Sequence, residues 1–147
     1  MVADQPLRLR LLPSWLIAQL AVHAQRITQR RFELVGMRRG HFAVLTALAD
    51  FGPQSQAELG RHLQLDRSDI AAATRELERA GHIQRSRDAG DRRRNLVALT
   101  PAGVFALRQL DAHVTEAQEE LLAPLLPAER SELARLLARL VEFHGAG

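Results

Sequence analysis

The chain has 147 residues, 46% of them hydrophobic and 25% charged, with no cysteine. It is therefore the size and composition of one ordinary globular domain, which excludes a disordered chain, a disulfide scaffold and a thiolate metal site. Aromatic residues make up only 4%, so the core must be built from Leu, Ala, Val and Ile, which suits packed helices better than packed sheets. The net charge of +3 hides an asymmetry: residues 1–110 carry 17 Arg against 10 acids, while residues 111–147 carry 3 Arg against 7, so the front of the chain suits a polyanionic partner and the tail does not.

The apolar run from Leu11 to Ala24 is broken by Pro13, Ser14, Gln19 and His23. It is too short and polar to span a bilayer and lacks a signal-peptide cleavage pattern, so a soluble, cytoplasmic chain with no membrane contact is expected. Pro13-Ser14 opens a helix to about Phe32, with Trp15, Leu16, Leu20, His23 and Ile27 near one face. A second helix fits His41 to Asp50 and is stopped by Phe51-Gly52-Pro53. Ser55 and Glu58 have capping-box spacing for a short third helix ending near Leu63. After a brief turn, Asp66 is placed to cap a fourth helix running to Ala80, with Ile70, Ala73, Thr74 and Leu77 inward and Gly81 as its stop. Two helices joined by a tight turn form the helix-turn-helix pattern.

Beyond Gly81 the hydrophobic period changes from about 3.6 to 2. His82–Arg87 and Asn95–Leu99 alternate, and the Gly-containing segment 88–94 joins them as a hairpin, or wing. Thr100-Pro101 supplies an N-cap and an N1 proline for a helix to about Leu122. Pro124 and Pro127 precede a last helix, Ala128 to Phe143. Its face of Leu133, Leu136, Leu137, Leu140 and Val141, with Leu121, Leu122, Leu125 and Leu126, exceeds what so small a lobe can cover and predicts a second subunit.

With its inward set fixed, the fourth helix turns Arg67, Ser68, Ala71, Ala72 and Arg75 outward. Small residues let a backbone sink into a major groove, and Arg can pair with guanine edges or with phosphate. The wing concentrates Arg85, Arg87, Arg92, Arg93 and Arg94 beside Asp88 and Asp91, a density that a duplex phosphate backbone relieves. Ser55 and Gln56, at the start of the third helix, complete the expected contact set. The six His residues include no pair at i, i+4, so no metal and no cofactor are expected. No phosphate loop, nucleophile or triad pattern supports an enzyme.

The segment Leu77-Glu-Arg-Ala-Gly-His-Ile-Gln-Arg85, then Asp88, Asp91-Arg92-Arg93 and Val97-Ala-Leu-Thr-Pro-Ala-Gly103, resembles the MarR family of winged-helix regulators. The resemblance is most specific over residues 55–103. It implies a homodimer joined through its terminal helices and straddling a palindromic operator in double-stranded DNA. It also implies that Arg93 enters the minor groove while Asp91 helps to hold it. A small aromatic or phenolic effector is implied as well, for which Trp15, His41 and Phe42 are candidate lining residues and Arg38 or Arg39 a countercharge. Three departures stand out. Ala71 and Ala72 stand where many family members carry polar or basic readers, which leaves base discrimination to Arg67, Ser68 and Arg75 or to apolar contact with thymine methyls. Arg38-Arg39-Gly40 replaces the usual cap of the second helix, and Leu126 replaces a polar cap before Pro127. The expected architecture is mainly α (α+β). It comprises a winged helix-turn-helix lobe over residues 36–100 and a helical dimerisation region formed by 1–35 with 101–147. The competing reading is a protein-binding adapter of the same fold without specific DNA binding.

Overall fold

In the computed structural model, which describes residues 4–146, the chain forms seven helices and one two-stranded sheet. The order is α1 (Leu7–Arg10), α2 (Pro13–Glu33), α3 (Arg39–Phe51), α4 (Gln56–Leu63), α5 (Arg67–Arg79), β1 (Ile83–Arg87), β2 (Asn95–Leu99), α6 (Pro101–Leu121) and α7 (Pro127–Gly145). Every expected element is present within one or two residues of its expected ends; α1, a single turn, carried no sequence signal.

The lobe closes because three short helices and the sheet each contribute one apolar stripe. Val44, Leu45 and Leu48 of α3 meet Leu59 of α4, Ile70, Ala73 and Leu77 of α5, and Ile83 and Val97 of the sheet, all essentially inaccessible to solvent. Burying a side chain of this size stabilises the fold by about 1.5–3 kcal/mol relative to leaving it exposed. Thr74, also fully buried, satisfies its hydroxyl on the Ile70 carbonyl at 2.9 Å.

The helix ends show what stands in for the missing caps. Ser55 Oγ accepts from the Glu58 amide as expected. The return bond differs, since the Glu58 carboxylate receives the Ser55 hydroxyl and pairs with Arg94. Asp66 occupies the N-cap position of α5, but its side chain makes no capping hydrogen bond. Where Ser or Thr is absent before α3 and α7, the third helical residue reaches back instead. The Arg38 amide donates to His41 Nδ1 at 3.0 Å, and the Leu126 amide to Glu129 Oε1 at 2.8 Å. Both helices begin where expected without a hydroxyl cap.

Gly81 adopts φ of 78°, which allows the His82 amide to bond the Leu77 carbonyl at 2.9 Å and turns the chain out of α5. The strands pair antiparallel with Ile83 opposite Leu99 and Arg87 opposite Asn95. Gln54 adds a third backbone partner, exchanging amide and carbonyl bonds with Val97 at 3.0 and 2.7 Å, so the root of the wing is sewn to the segment before α4. At Gly103 a Cβ would lie 2.0 Å from the His82 carbonyl oxygen, so α6 packs directly on the backbone that leaves Gly81.

Outside the lobe, α2 lies along α6, tied by Arg30–Glu120 at 2.8 Å and by Arg31–Glu116. Leu133, Ala134 and Leu137 of α7 face Ile17, Leu20 and Ala21 of α2, Leu121 at the end of α6 and Leu122 just beyond it across an apolar groove. The remainder of α7 is bare: Leu136, Leu140, Val141 and Phe143 are exposed, as are Trp15, Leu16 and Ile17 of α2.

Candidate nucleic-acid interface

Helix α5 presents two unlike faces because its inward stripe is used up by Ile70, Ala73, Thr74 and Leu77. Arg67, Ser68 and Arg75 are exposed on the other side, and Ala71 and Ala72 are half-buried between them. The three-residue turn from α4 passes through Gln64, whose left-handed backbone (φ 52°) sets the second helix against the first. A groove lined by Gln56, Gly60, Arg61, Arg67, Ser68 and Ala71 runs between the two helices. No bulky side chain on α5 holds a partner surface away from its backbone between Arg67 and Arg75.

The wing arginines divide into two groups. Arg85 Nη1 donates to Gln56 Oε1 at 3.0 Å, and its Nε lies 3.0 Å from Glu78. Arg94 pairs with Glu58 and approaches Asp88 at 3.5 Å. These two anchor the wing to α4 and α5. Arg87, Arg92 and Arg93 are exposed and make no side-chain hydrogen bond or ion pair among the described residues, and the same is true of Arg67 and Arg75. With Arg79 at the C-terminal end of α5, six unneutralised guanidiniums therefore remain on α5 and the hairpin among the described residues.

Gln56 links the two parts. Its Nε2 donates to Thr74 Oγ1 of α5 at 3.0 Å while its Oε1 accepts from Arg85 of β1, so one amide fixes the wing relative to the helix. Ser55 is half-buried in its own capping interactions. The loop is preformed by its two acids: Asp88 Oδ1 accepts from the Gly90 amide at 2.9 Å, and Asp91 Oδ1 from the Arg93 amide at 3.0 Å. Asp91 thus holds Arg93 by its backbone, as an Asx turn, and leaves the guanidinium free.

A second feature lies where α2 meets α3. A cleft of about 350 Å³ has Phe32 and Met37 as its apolar part, with Gln25, Gln29, Arg38 and Arg39 around it. Of the five residues expected around an effector, the two countercharge candidates Arg38 and Arg39 line this cleft and Trp15, His41 and Phe42 do not. Trp15 sits at the other end of α2, its indole donating to Gln5 at 3.0 Å. Phe42 backs Phe32 with ring centres 5.8 Å apart. His41 is buried and faces α5, where its Nε2 lies 2.8 Å from Glu76 Oε2. Glu76 also receives Arg38 Nη2 at 2.7 and 2.8 Å. Burial lowers the His41 pKa below its ordinary value despite the Glu76 hydrogen bond, and the Arg38 hydrogen bond, helped by His41, lowers that of Glu76. The sequence shows His41 three residues after Arg38, a capping spacing. Its partner Glu76, 35 residues further on, carries no local signal.

Among the described residues, no group of three or more His, Asp or Glu side chains is placed to hold a metal ion, and no helix is long and apolar enough to cross a membrane. The MarR family model matches residues 37–94, from the residue pair before α3 through β1 and the wing loop, stopping just before β2. The chain is 33% identical over 101 residues to the HTH-type transcriptional repressor NicR of Pseudomonas putida, a match covering 69% of this chain and 64% of NicR. The chain spans less than two thirds of the length of the first curated relatives it matches. A crystal structure from Pseudomonas aeruginosa described as a "probable transcriptional regulator" superposes with a TM-score of 0.79 at 33% identity, over 95% of this chain and 99% of that one. The PcaV transcriptional regulator of Streptomyces coelicolor, solved in complex with its natural ligand, superposes with a TM-score of 0.75 at 28% identity, over 94% and 97%. With the helix-turn-helix, the arginine wing and near full-length superposition in agreement, the chain belongs to the MarR family of transcriptional regulators.

Proposed function

We propose that the protein is a cytoplasmic homodimer that binds a palindromic operator in double-stranded DNA and represses by occluding a promoter. In this reading residues 36–100 are the DNA-binding lobe, and 1–35 with 101–147 form the dimerisation region. Helix α5 enters the major groove through Arg67, Ser68, Ala71 and Arg75, and the wing reaches the adjacent minor groove through Arg87, Arg92 and Arg93. Ser55, Gln56, Arg85, Asp91 and Arg94 shape that surface rather than read bases. The carrying observation is that Arg67, Arg75, Arg87, Arg92 and Arg93, on α5 and the wing, are exposed and unneutralised. The similarity to NicR supports the repressor assignment.

Release by a small aromatic acid is the second part of the proposal. It is supported by the cleft between α2 and α3, which has an apolar floor and two guanidiniums and is of a size for a single ring. The likeness to ligand-bound PcaV agrees with it.

Selection of bound sequences from a random duplex pool tests the first part. An inverted repeat with half-sites about one helical turn apart is the expected product. Recovery of no sequence preference would favour a nonspecific binder, and no retention of DNA the adapter reading. Arg93→Ala is expected to cost roughly 1–3 kcal/mol of affinity for the selected duplex, read by gel shift.

A further inference from the structure

We infer that Glu58 is a specificity-determining residue: its carboxylate withholds Arg94 and the positive end of α4 from phosphate, so that less of the lobe's charge is available to an arbitrary duplex. The inference rests on the operator-binding reading above and concerns what restrains that same surface.

Every guanidinium left free on a DNA-binding face adds affinity for any sequence, because displacing counterions from phosphate needs no base contact. A lobe rich in arginine therefore discriminates better when part of its charge is held back. Within the wing, free and held cations lie side by side. Arg92 and Arg93 are exposed and unpaired among the described residues, whereas Arg94, the next residue, pairs with Glu58 and approaches Asp88 at 3.5 Å. The Glu58 carboxylate is fixed on the side of the lobe. It stands in the first turn of α4, its side chain is only 25% exposed, and it accepts the Ser55 hydroxyl at 3.1 Å. Ser55 Oγ in turn occupies the Glu58 amide. A helix N-terminus attracts anions through its free amides and its dipole, and a carboxylate in the first turn offsets that attraction. One side chain thus cancels two phosphate-binding features where α4 meets the wing.

The ion pair is not what closes the hairpin. The Asp88 amide donates to the Arg94 carbonyl at 2.9 Å, the Arg94 amide to the Asp91 carbonyl at 3.0 Å, and Gln54 ties the root to Val97. The loop therefore keeps its course when the side-chain charge is removed. On β1, Glu78 holds Arg85 in the same manner, 3.0 Å from its Nε, while Arg87 two residues further on has no such partner among the described residues.

The test measures binding of the full chain to a random-sequence duplex and to the duplex recovered by selection, by fluorescence anisotropy from about 50 to 200 mM salt. Glu58→Gln, nearly isosteric, is expected to steepen the random-duplex salt slope by about 0.9 for each lobe on the DNA. That binding should tighten roughly five- to tenfold per lobe near 0.1 M salt. The selected duplex, on which α5 already fixes the docking, gains less, so the ratio of the two affinities falls. Arg94→Gln breaks the same pair without releasing a cation and should not steepen the slope. Should Glu58→Gln fail to fold, judged by circular dichroism, Glu58→Ala removes the same charge and carries the same expectation.

An unchanged slope in the folded Glu58 variants overturns the withholding. So does a slope that Arg94→Gln steepens equally, since loosening of the wing would then be the cause. Equal gains on both duplexes overturn the role in specificity. A parent that binds all duplexes alike, or none, overturns the operator reading and this inference with it, and is recognised before any variant is compared.

Discussion

The ring of His41 has its tautomer decided by its neighbours. Nδ1 accepts from the Arg38 amide, so the proton of the neutral ring resides on Nε2 and is directed to Glu76. A second proton would have to go on Nδ1, opposite an N–H donor and inside a mostly buried pocket, which is why burial dominates and the pKa falls below the ordinary value near 6.5. Around it, Arg38 and, more weakly, His82 oppose protonation, and Glu76 favours it. The unfolded chain therefore takes up a proton at a higher pH than the folded one. The stabilisation held above about pH 6.5 is lost as pH falls through the lowered folded value. The melting temperature should fall on acidification from pH 7.5 to 5.5, and His41→Asn should be less stable at pH 7.5 with a flatter pH dependence. An equally steep curve for the variant would remove His41 as the source.

At the scale of elements, Gly103 gives a test whose sign is informative. Glycine inside a helix normally costs about 1 kcal/mol relative to alanine, so propensity alone predicts that Gly103→Ala stabilises α6. The 2.0 Å approach to the His82 carbonyl predicts the reverse. Backbone on backbone cannot yield as a side-chain tip can, so thermal unfolding should show a loss of roughly 1–3 kcal/mol. The wing gives a second test. Arg94 braces the hairpin against Glu58, whereas Arg93 faces solvent, so Glu58→Gln should quicken hydrogen exchange in residues 83–99 while Arg93→Ala leaves it unchanged. These elements also show what local sequence could reveal. The period change at Gly81, the Thr100-Pro101 start and the inward stripe of α5 are determined by neighbours within a few residues, and each was legible. The division of the wing arginines was not: Arg85 and Arg94 carry the same local signature as Arg87 and Arg93, and only the return of α4 to the root of the wing separates braces from free cations. The expected effector residues were scattered for a similar reason. Trp15 lies near the start of α2 and Arg38 beyond its other end, with roughly 27 Å of helix between Trp15 and Glu33, a separation that residue chemistry alone does not show.

For the molecule as a whole, the uncovered leucines of α7 and the bare start of α2 account for the proposed second subunit. Leu140 and Val141 are 47% and 64% exposed and contribute little inside one chain. Leu140→Glu with Val141→Glu should therefore leave the lobe folded and shift sedimentation from dimer to monomer. A doubled stoichiometry also sets the salt response. Each phosphate contact contributes about −0.9 to the slope of log affinity against log salt, so removing Arg93 should flatten the slope by about two units for a symmetric dimer on one duplex. A change near one unit would mean that a single wing engages the DNA.

Helix α6 has a mechanical consequence. Its first turn is wedged against the His82 carbonyl and capped by Thr100, so it moves with the lobe, while Leu121 at its other end and Leu122 just beyond share a groove with residues of α2 and α7. Twenty-one residues make a rod of roughly 30 Å, so a tilt of about 10° displaces one end by about 5 Å. Successive base pairs are spaced about 3.4 Å along a duplex, so in the proposed complex a rotation that small would throw α5 out of step with its half-site.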